Sequence, residues 1–122
     1  MLIYALYNFC LCHLYLQKNK INIAISGGLD SQALALYAKE KGFDVTAYYL
    51  KSDIPGYCEA EIARNFCNHW KIPYIEIQSE FIDYVSSLPE FISALECPIY
   101  NLHPLSKWIL SRELAKLGFT KI

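Results

Sequence analysis

The sequence predicts an α/β fold in which a doubly wound parallel sheet has helices on both faces. A β-branched run at residues 21–25 leads directly into two adjacent glycines, as a strand does when it enters a tight turn. Segments of strand length then alternate with segments of helix length, a pattern that favours right-handed crossovers between parallel strands. No internal repeat or linker-like stretch interrupts this alternation, so we expect one α/β domain over residues 20–122.

The composition predicts a folded protein that binds a small molecule. Of the 122 residues, 54% are hydrophobic, which is enough for a core. The 11 basic and 12 acidic residues give a formal charge of −1, so no broad positive charge attracts nucleic acid or an anionic membrane. We therefore expect a small-molecule partner, no nucleic acid and no membrane.

Residues 1–16 are almost wholly apolar, but they lack the features of a signal peptide or membrane anchor. No basic residue precedes the apolar run and no small-residue cleavage site follows it. The run is also shorter than the ~20 residues that span a bilayer. We expect an N-terminal apolar helix within residues 1–19 that packs beside the first strand, with an interfacial or partner-binding helix as the alternative.

The cysteines predict neither a disulfide framework nor a metal site. They are odd in number and irregularly spaced: Cys10, Cys12, Cys58, Cys67 and Cys97. This usage is typical of reduced thiols in a cytoplasmic protein. Cys10, Cys12 and His13 lack a second pair of ligands at zinc spacing, so we expect no metal there.

The first strand, at residues 21–25, is followed by a glycine turn and then by a helix at residues 31–41. The helix consists mainly of Ala, Leu and Tyr, and Gly42 ends it. Because its residues are apolar nearly all round, we expect this helix to be deeply packed.

The next elements follow the same alternation. Residues 44–50 predict a second strand, residues 52–56 a turn, and residues 73–77 a third strand. Between these strands, helical spacing places four apolar side chains on one face: Ile62, Phe66, Cys67 and Trp70. Polar side chains take the other face: Glu59, Glu61 and Arg64.

The last third of the chain predicts mostly helix. In residues 79–102, apolar positions suggest short helical pieces that are broken at Pro89 and Pro98. Residues 103–117 predict a clearer helix, closed by Gly118 and carrying an apolar stripe: Leu105, Ile109, Leu110, Leu114 and Leu117. Residues 119–122 predict the start of a fourth strand.

The glycine turn is the part of the sequence that indicates chemistry. A strand, a glycine turn and a helix point backbone N–H groups and the positive end of the helix dipole at one spot, which favours an anion. Gly27 and Gly28 lack a Cβ, so the backbone can approach phosphate oxygens closely, while Ser26 and Ser31 add hydroxyl donors. Asp30 is repulsive to phosphates unless it caps the helix or shares a divalent cation with them.

Other glycine-rich loops fit this turn less well. The Walker pattern needs a lysine that residues 26–38 do not contain, and the dinucleotide pattern needs a third glycine. A hydrolase elbow needs Gly-x-Ser-x-Gly, whereas Ser26 lies between an isoleucine and a glycine. The remaining alternative is an ordinary strand-to-helix turn in which Asp30 or Ser31 is the N-cap.

Residues 26–31 match the Ser-Gly-Gly-x-Asp-Ser signature of the PP-loop ATP pyrophosphatases. Over about residues 20–122 the chain is similar to the synthetase domain of asparagine synthetases. Further segments support the likeness, namely residues 47–77 and the stretch from Glu96-Cys97-Pro98 through Ser106-Lys107 to Gly118-Phe119. The resemblance implies an adenine nucleotide α-hydrolase-like fold of the HUP type, incomplete at its C-terminus.

The resemblance also implies cofactors and roles. ATP and Mg²⁺ are the implied cofactors, with Asp30 near the metal and with Ile25 and Tyr49 flanking the adenosine. The pyrophosphate moiety is assigned to the turn: Ser26, Gly27, Gly28, Asp30 and Ser31. The implied reaction is attack of a small-molecule carboxylic acid on the α-phosphate, followed by capture of the acyl-adenylate by ammonia or an amine. The resemblance thus implies an ATP-dependent carbon–nitrogen ligase of amino-acid biosynthesis.

Two departures from the family pattern limit this expectation. Leu2 follows Met1 where glutamine-dependent members have a cysteine, so we expect no glutaminase in the chain and ammonia from a separate one. The sequence stops at Ile122, where a second glycine-rich loop would begin. We therefore expect a fragment or an interrupted frame, with catalytic residues in a missing C-terminal half. The alternatives are a PP-loop tRNA or nucleobase modifier and a non-catalytic ATP-binding remnant.

Other polar residues are weaker candidates. His13, His69 and His103 are not paired at metal spacing, so packing or surface roles are expected for them. Asp53 and Glu96 lie in predicted loops, where ligands of open α/β sheets gather. They are secondary candidates for contact with substrate or metal.

Overall fold

The computed structural model describes residues 20–56 and 58–119, in which three strands alternate with helices. The strands are β1 (Lys20–Ala24), β2 (Asp44–Ser52) and β3 (Tyr74–Ser79). The helices are α1 (Leu29–Glu40), α2 (Ala60–His69), α3 (Phe81–Leu95) and α4 (His103–Lys116). The strands form one parallel sheet in the order β1-β2-β3. The predicted α/β class is confirmed.

Helices cover both faces of the sheet. Successive residues of a strand point to opposite faces, and β2 is buried on both. On one face Val45, Ala47 and Tyr49 pack with the isoleucines of β1 and with α1 and α2. On the other face Tyr48 packs with Leu110 and Leu114 of α4. Helix α3 then packs on α4 through a separate cluster: Tyr84, Phe91, Leu105 and Ile109.

Two predicted helix faces are wrong in detail. Helix α1 is not deeply packed, since only Ala35 and Ala38 are buried and Leu29 is 82% exposed. In α2, Ile62 is 54% exposed. The residues of α2 that are buried against the sheet are two alanines and one cysteine: Ala60, Ala63 and Cys67. Small side chains let a helix approach a sheet closely, so alanines can replace the larger residues that the pattern favoured.

Helix α3 continues through Pro89 without a break, contrary to the prediction of short helical pieces. A capping box between Glu80 and Asp83 starts the helix, and Glu96 ends it in the left-handed conformation (φ 56°). An interior proline costs a helix about 3 kcal/mol. Burial of Tyr84 and Phe91 against α4 offsets that cost.

Helix α4 agrees with its prediction except at its C-terminal end. Four of the five stripe residues are buried: Leu105, Ile109, Leu110 and Leu114. The fifth, Leu117, is 64% exposed and lies just beyond the last helical residue. Gly118 follows it in the left-handed conformation, with φ 87°.

Several expectations lie outside the described residues. They include the predicted N-terminal helix, the expected absence of a metal at Cys10 and Cys12, and residues 120–122 of the predicted fourth strand. In the ranges 20–56 and 58–119, no helix is both long enough and apolar enough to cross a bilayer.

We expect Leu105→Ala to lower the free energy of unfolding by about 2–5 kcal/mol, because Leu105 is fully buried between α3 and α4. Denaturant titration measures this loss. The exposed Leu117 offers a matched control, and Leu117→Ala should change stability by less than about 0.5 kcal/mol. Equal effects of the two substitutions would contradict the packing of α3 on α4.

Candidate functional site

The glycine turn lies between a parallel strand and a helix, as predicted. The N–H of Ile25 donates to the carbonyl oxygen of Tyr48 at 2.8 Å, so strand pairing continues one residue beyond β1. Gly28 is the N-cap of α1 and no side chain caps the helix. Neither Asp30 nor Ser31 is therefore the N-cap that the alternative of an ordinary turn predicted.

The two serines of the turn hold its shape. The Ser26 N–H donates to Ser31 Oγ at 3.0 Å, and Ser31 Oγ donates to the Gly28 carbonyl at 3.2 Å. The Gly28 N–H donates to Ser26 Oγ at 3.1 Å. Gln32 Nε2, in the first turn of α1, donates to the Gly27 carbonyl at 3.2 Å. Side chains in and next to the turn therefore contribute to its shape.

A cleft of about 760 Å³ opens at the carboxyl ends of β1 and β2. Ligands of open α/β sheets bind at this edge. The cleft is lined by all seven residues that the sequence assigns to nucleotide binding: Ile25, Ser26, Gly27, Gly28, Asp30, Ser31 and Tyr49. Their roles toward a nucleotide remain predictions, but the structure brings them to one place.

The opposite wall of the cleft was not foreseen from the sequence. It comes from the start of α4, and its polar members are His103, Ser106 and Lys107. Glu59, the residue before α2, also lines the cleft but lies directly against the glycine turn. His103, Ser106 and Lys107 recur at the i, i+3, i+4 spacing of one helix face. That spacing was visible in the sequence, but it does not say which face of α4 turns toward the glycine loop.

Charges of both signs face the cleft. The Asp30 carboxylate makes no hydrogen bond or ion pair with any other described residue, and Glu59 Oε2 accepts from the Gly27 N–H at 3.0 Å. Within residues 20–56 and 58–119, Lys107 is the single lysine or arginine that lines the cleft. One lysine and two carboxylates therefore line the cleft.

Tyr49 connects the sheet to this site. It is buried in β2, and burial is the main reason that the pKa of its phenol is raised, so the hydroxyl stays protonated. Its oxygen accepts from the Glu59 N–H at 2.6 Å. The ring lies 6.4 Å from that of Tyr74 in a tilted arrangement. Tyr49 thus fixes where the chain enters α2.

The residues present fit a nucleotide and its metal ion. A Cβ on Gly28 would lie 3.3 Å from Ser26 Oγ, so the turn has little room for a side chain. Mg²⁺ in nucleotide sites takes one or two carboxylates together with phosphate oxygens and water, and the uncommitted Asp30 carboxylate suits that role. Across the described ranges, no group of three or more acidic, His or Cys side chains could hold a metal by itself.

The secondary candidates lie elsewhere. Asp53 and Glu96 are exposed and do not line the cleft. Among the described cysteines, Cys58 and Cys97 are exposed, whereas Cys67 is buried and its pKa is raised by that burial. His69 packs edge-on against Trp70 with ring centroids 5.0 Å apart.

Comparisons with known proteins identify similar sequences. The family described as asparagine synthase matches residues 13–121. The tRNA-specific 2-thiouridylase of Francisella philomiragia is 38% identical over 80 residues, 57% of this chain and 22% of the relative. That of Alkaliphilus oremlandii is 38% identical over 72 residues, 52% of this chain and 20% of the relative. The chain therefore spans about a fifth of the length of these curated relatives.

The expectation of no nucleic-acid partner is wrong, because these relatives are named for action on tRNA. That expectation rested on the formal charge of −1. A net charge sums over the whole surface, so it does not exclude a local contact with RNA.

Proposed function

This chain belongs to the asparagine synthase family, within the PP-loop ATP pyrophosphatases, and we propose that it binds ATP for the activation of an acceptor oxygen as an adenylate. The observation that carries the proposal is the turn at residues 26–31. It ends a parallel strand, begins a helix and opens on a cleft with the uncommitted carboxylate of Asp30. ATP with Mg²⁺ is the general cofactor pair of this family.

In this proposal each part of the cleft has a task. The turn binds the pyrophosphate end of ATP, and Ile25 and Tyr49 flank the adenosine. Asp30 would hold Mg²⁺, which neutralises charge on phosphate oxygens when it is bound. The acceptor oxygen forms a bond to the α-phosphorus while the bond from that phosphorus to the bridging oxygen breaks. Pyrophosphate leaves with the electron pair, and Lys107 faces the charge that develops.

The family description favours a carboxylate as the acceptor. Ammonia or an amine attacks the acyl carbon of an acyl-adenylate formed from a carboxylic acid, AMP leaves, and the product is an amide. Residues 13–121 match the asparagine synthase family, which supports this chemistry.

A second candidate is the activation of a nucleobase in tRNA. The relatives that are 38% identical over 80 and 72 residues are named tRNA-specific 2-thiouridylases. In this candidate a base oxygen attacks the α-phosphorus and pyrophosphate leaves. A sulfide-level sulfur donor then attacks the base carbon, and the adenylated oxygen leaves as part of AMP. The two candidates share the glycine turn and differ in the acceptor.

Exchange of labelled pyrophosphate into ATP tests the proposal and separates the candidates. Carboxylic acids and unmodified tRNA are supplied in turn to the chain or to a longer protein that contains it. Exchange that depends on an acid supports amide formation, and exchange that depends on tRNA supports base modification. ATP binding without exchange under either condition would contradict adenylation and favour a non-catalytic nucleotide-binding protein.

A further inference from the structure

One backbone N–H of the glycine turn already donates a hydrogen bond to a carboxylate of the protein itself. The Gly27 N–H donates to Glu59 Oε2 at 3.0 Å, and the two residues are 32 positions apart in the chain. The other two hydrogen-bonded amides of the turn, those of Ser26 and Gly28, donate to neutral serine hydroxyls. Gly27 is thus the position in the turn where a negative charge is bound.

The Glu59 side chain lies directly against the turn. A Cβ added to Gly27 would be 2.6 Å from Oε2 of Glu59 and 2.9 Å from its Cβ and Cδ. Atoms this close exclude any further group from that side of Gly27. A phosphate oxygen that approached the Gly27 N–H would meet the carboxylate first.

The backbone at Glu59 is held independently of this contact. Its N–H donates to the buried Tyr49 hydroxyl at 2.6 Å, and its carbonyl accepts from the Ala63 N–H at 3.2 Å in the first turn of α2. Glu59 is itself exposed, and its side chain makes no cap hydrogen bond to α2. The side chain can therefore leave Gly27 while the main chain stays in place.

From this geometry we propose that Glu59 is an internal competitor for the anion position at Gly27, and that nucleotide binding displaces its carboxylate. The inference rests on the proposed function for the identity of the incoming anion, a diphosphate or triphosphate. Two anions that shared one N–H donor would lie within a few Å of each other and repel, so binding of the nucleotide at Gly27 disfavours the carboxylate there. The apparent affinity for the nucleotide is therefore reduced by the fraction of molecules in which Glu59 occupies the position.

Removal of the competitor should strengthen binding. We expect Glu59→Ala to bind inorganic pyrophosphate about tenfold more tightly than the wild type, the effect of losing one charge-assisted contact of about 1.4 kcal/mol. Titration calorimetry with and without Mg²⁺ measures this, and the tightening should appear in both conditions. The amide signal of Gly27 in an NMR spectrum should also shift in Glu59→Ala before any ligand is added.

Two further variants separate contact from charge. Glu61→Gln makes a similar change in charge two residues along, on an exposed position of α2 outside the cleft, and it should alter affinity less than about twofold. Glu59→Asp keeps the charge but is one methylene shorter, so it should release Gly27 and also tighten binding. It provides a second test if Glu59→Ala is poorly folded.

The outcomes are distinct. If the wild type binds pyrophosphate and the Glu59 variants bind equally well, the competitor role is wrong and the proposed function stands. If the Glu59 variants bind pyrophosphate more weakly than the wild type in the presence of Mg²⁺ but not in its absence, Glu59 is a metal ligand. The competitor role is then wrong as well. If neither the wild type nor Glu59→Ala binds pyrophosphate or ATP, both this inference and the proposed function are wrong.

Discussion

Asp30→Asn should reduce ATP–pyrophosphate exchange by on the order of a hundredfold or more, the usual scale for loss of one preorganised charge-stabilising group. Asp30 lines the cleft in the first turn of α1, and its carboxylate has no partner among the described residues. A carboxylate beside a triphosphate is tolerable when a cation lies between them. Asparagine keeps the shape of the side chain but loses the charge that would bind the cation.

The fold should survive this substitution. Asp30 caps nothing, so the cost is limited to its favourable interaction with the helix dipole, no more than about 1 kcal/mol. Asp44→Asn is the matched control, because Asp44 is exposed at the start of β2, away from the cleft, and only 4.0 Å from an exposed Lys20 nitrogen. The control should retain exchange. Equal exchange by Asp30→Asn and the wild type, with equal melting temperatures, would remove Asp30 from the mechanism.

Lys107→Gln should lower the same exchange by on the order of a hundredfold, because it removes the one cationic side chain that the described residues place on the cleft. The Lys107 side chain forms no ion pair with a described residue, so its charge is available to a ligand. Its position on α4 faces the glycine turn across the cleft. Negative charge that develops on the leaving pyrophosphate would lose a stabilising partner.

Lys116→Gln provides the control on the same helix. Lys116 pairs with Glu113 at 2.8 Å in the last turn of α4 and does not line the cleft. Its loss removes an equal charge but only an exposed ion pair, which contributes about 0–1 kcal/mol. A loss of exchange that is the same for both variants would show that overall charge, and not the position of Lys107, sets the rate.

Helix α4 illustrates what a pattern in the sequence can predict about the fold. Its apolar stripe at helical spacing was enough to identify four buried leucine and isoleucine positions, because one amphipathic helix has one face to bury. Helix α2 shows the limit of the same reasoning. Its large apolar residues predicted the buried face, but close packing on the sheet favoured Ala60 and Ala63, and Ile62 was left exposed.

Pro89 shows a second limit. A proline inside a helix removes one backbone hydrogen bond, and this local cost of continuing the helix led us to predict a break. Helix α3 is continuous because Tyr84 and Phe91, on either side of the proline, are buried against α4. This contact joins segments that are distant in the chain, so no local rule includes it.

The sequence by itself determined the strand, turn and helix that contain residues 26–31, because the residues that shape this unit are neighbours in the chain. Its serine hydroxyls, glycines and helix start lie within a few positions of one another. Only the tertiary structure decided what surrounds the turn. Glu59 reaches Gly27 from 32 residues away, and Lys107 arrives on α4 from the opposite wall of the cleft. Parallel strands bring their carboxyl ends, and the segments that follow them, to one edge of the sheet. The spacing of residues in the sequence does not predict which side chains then come into contact.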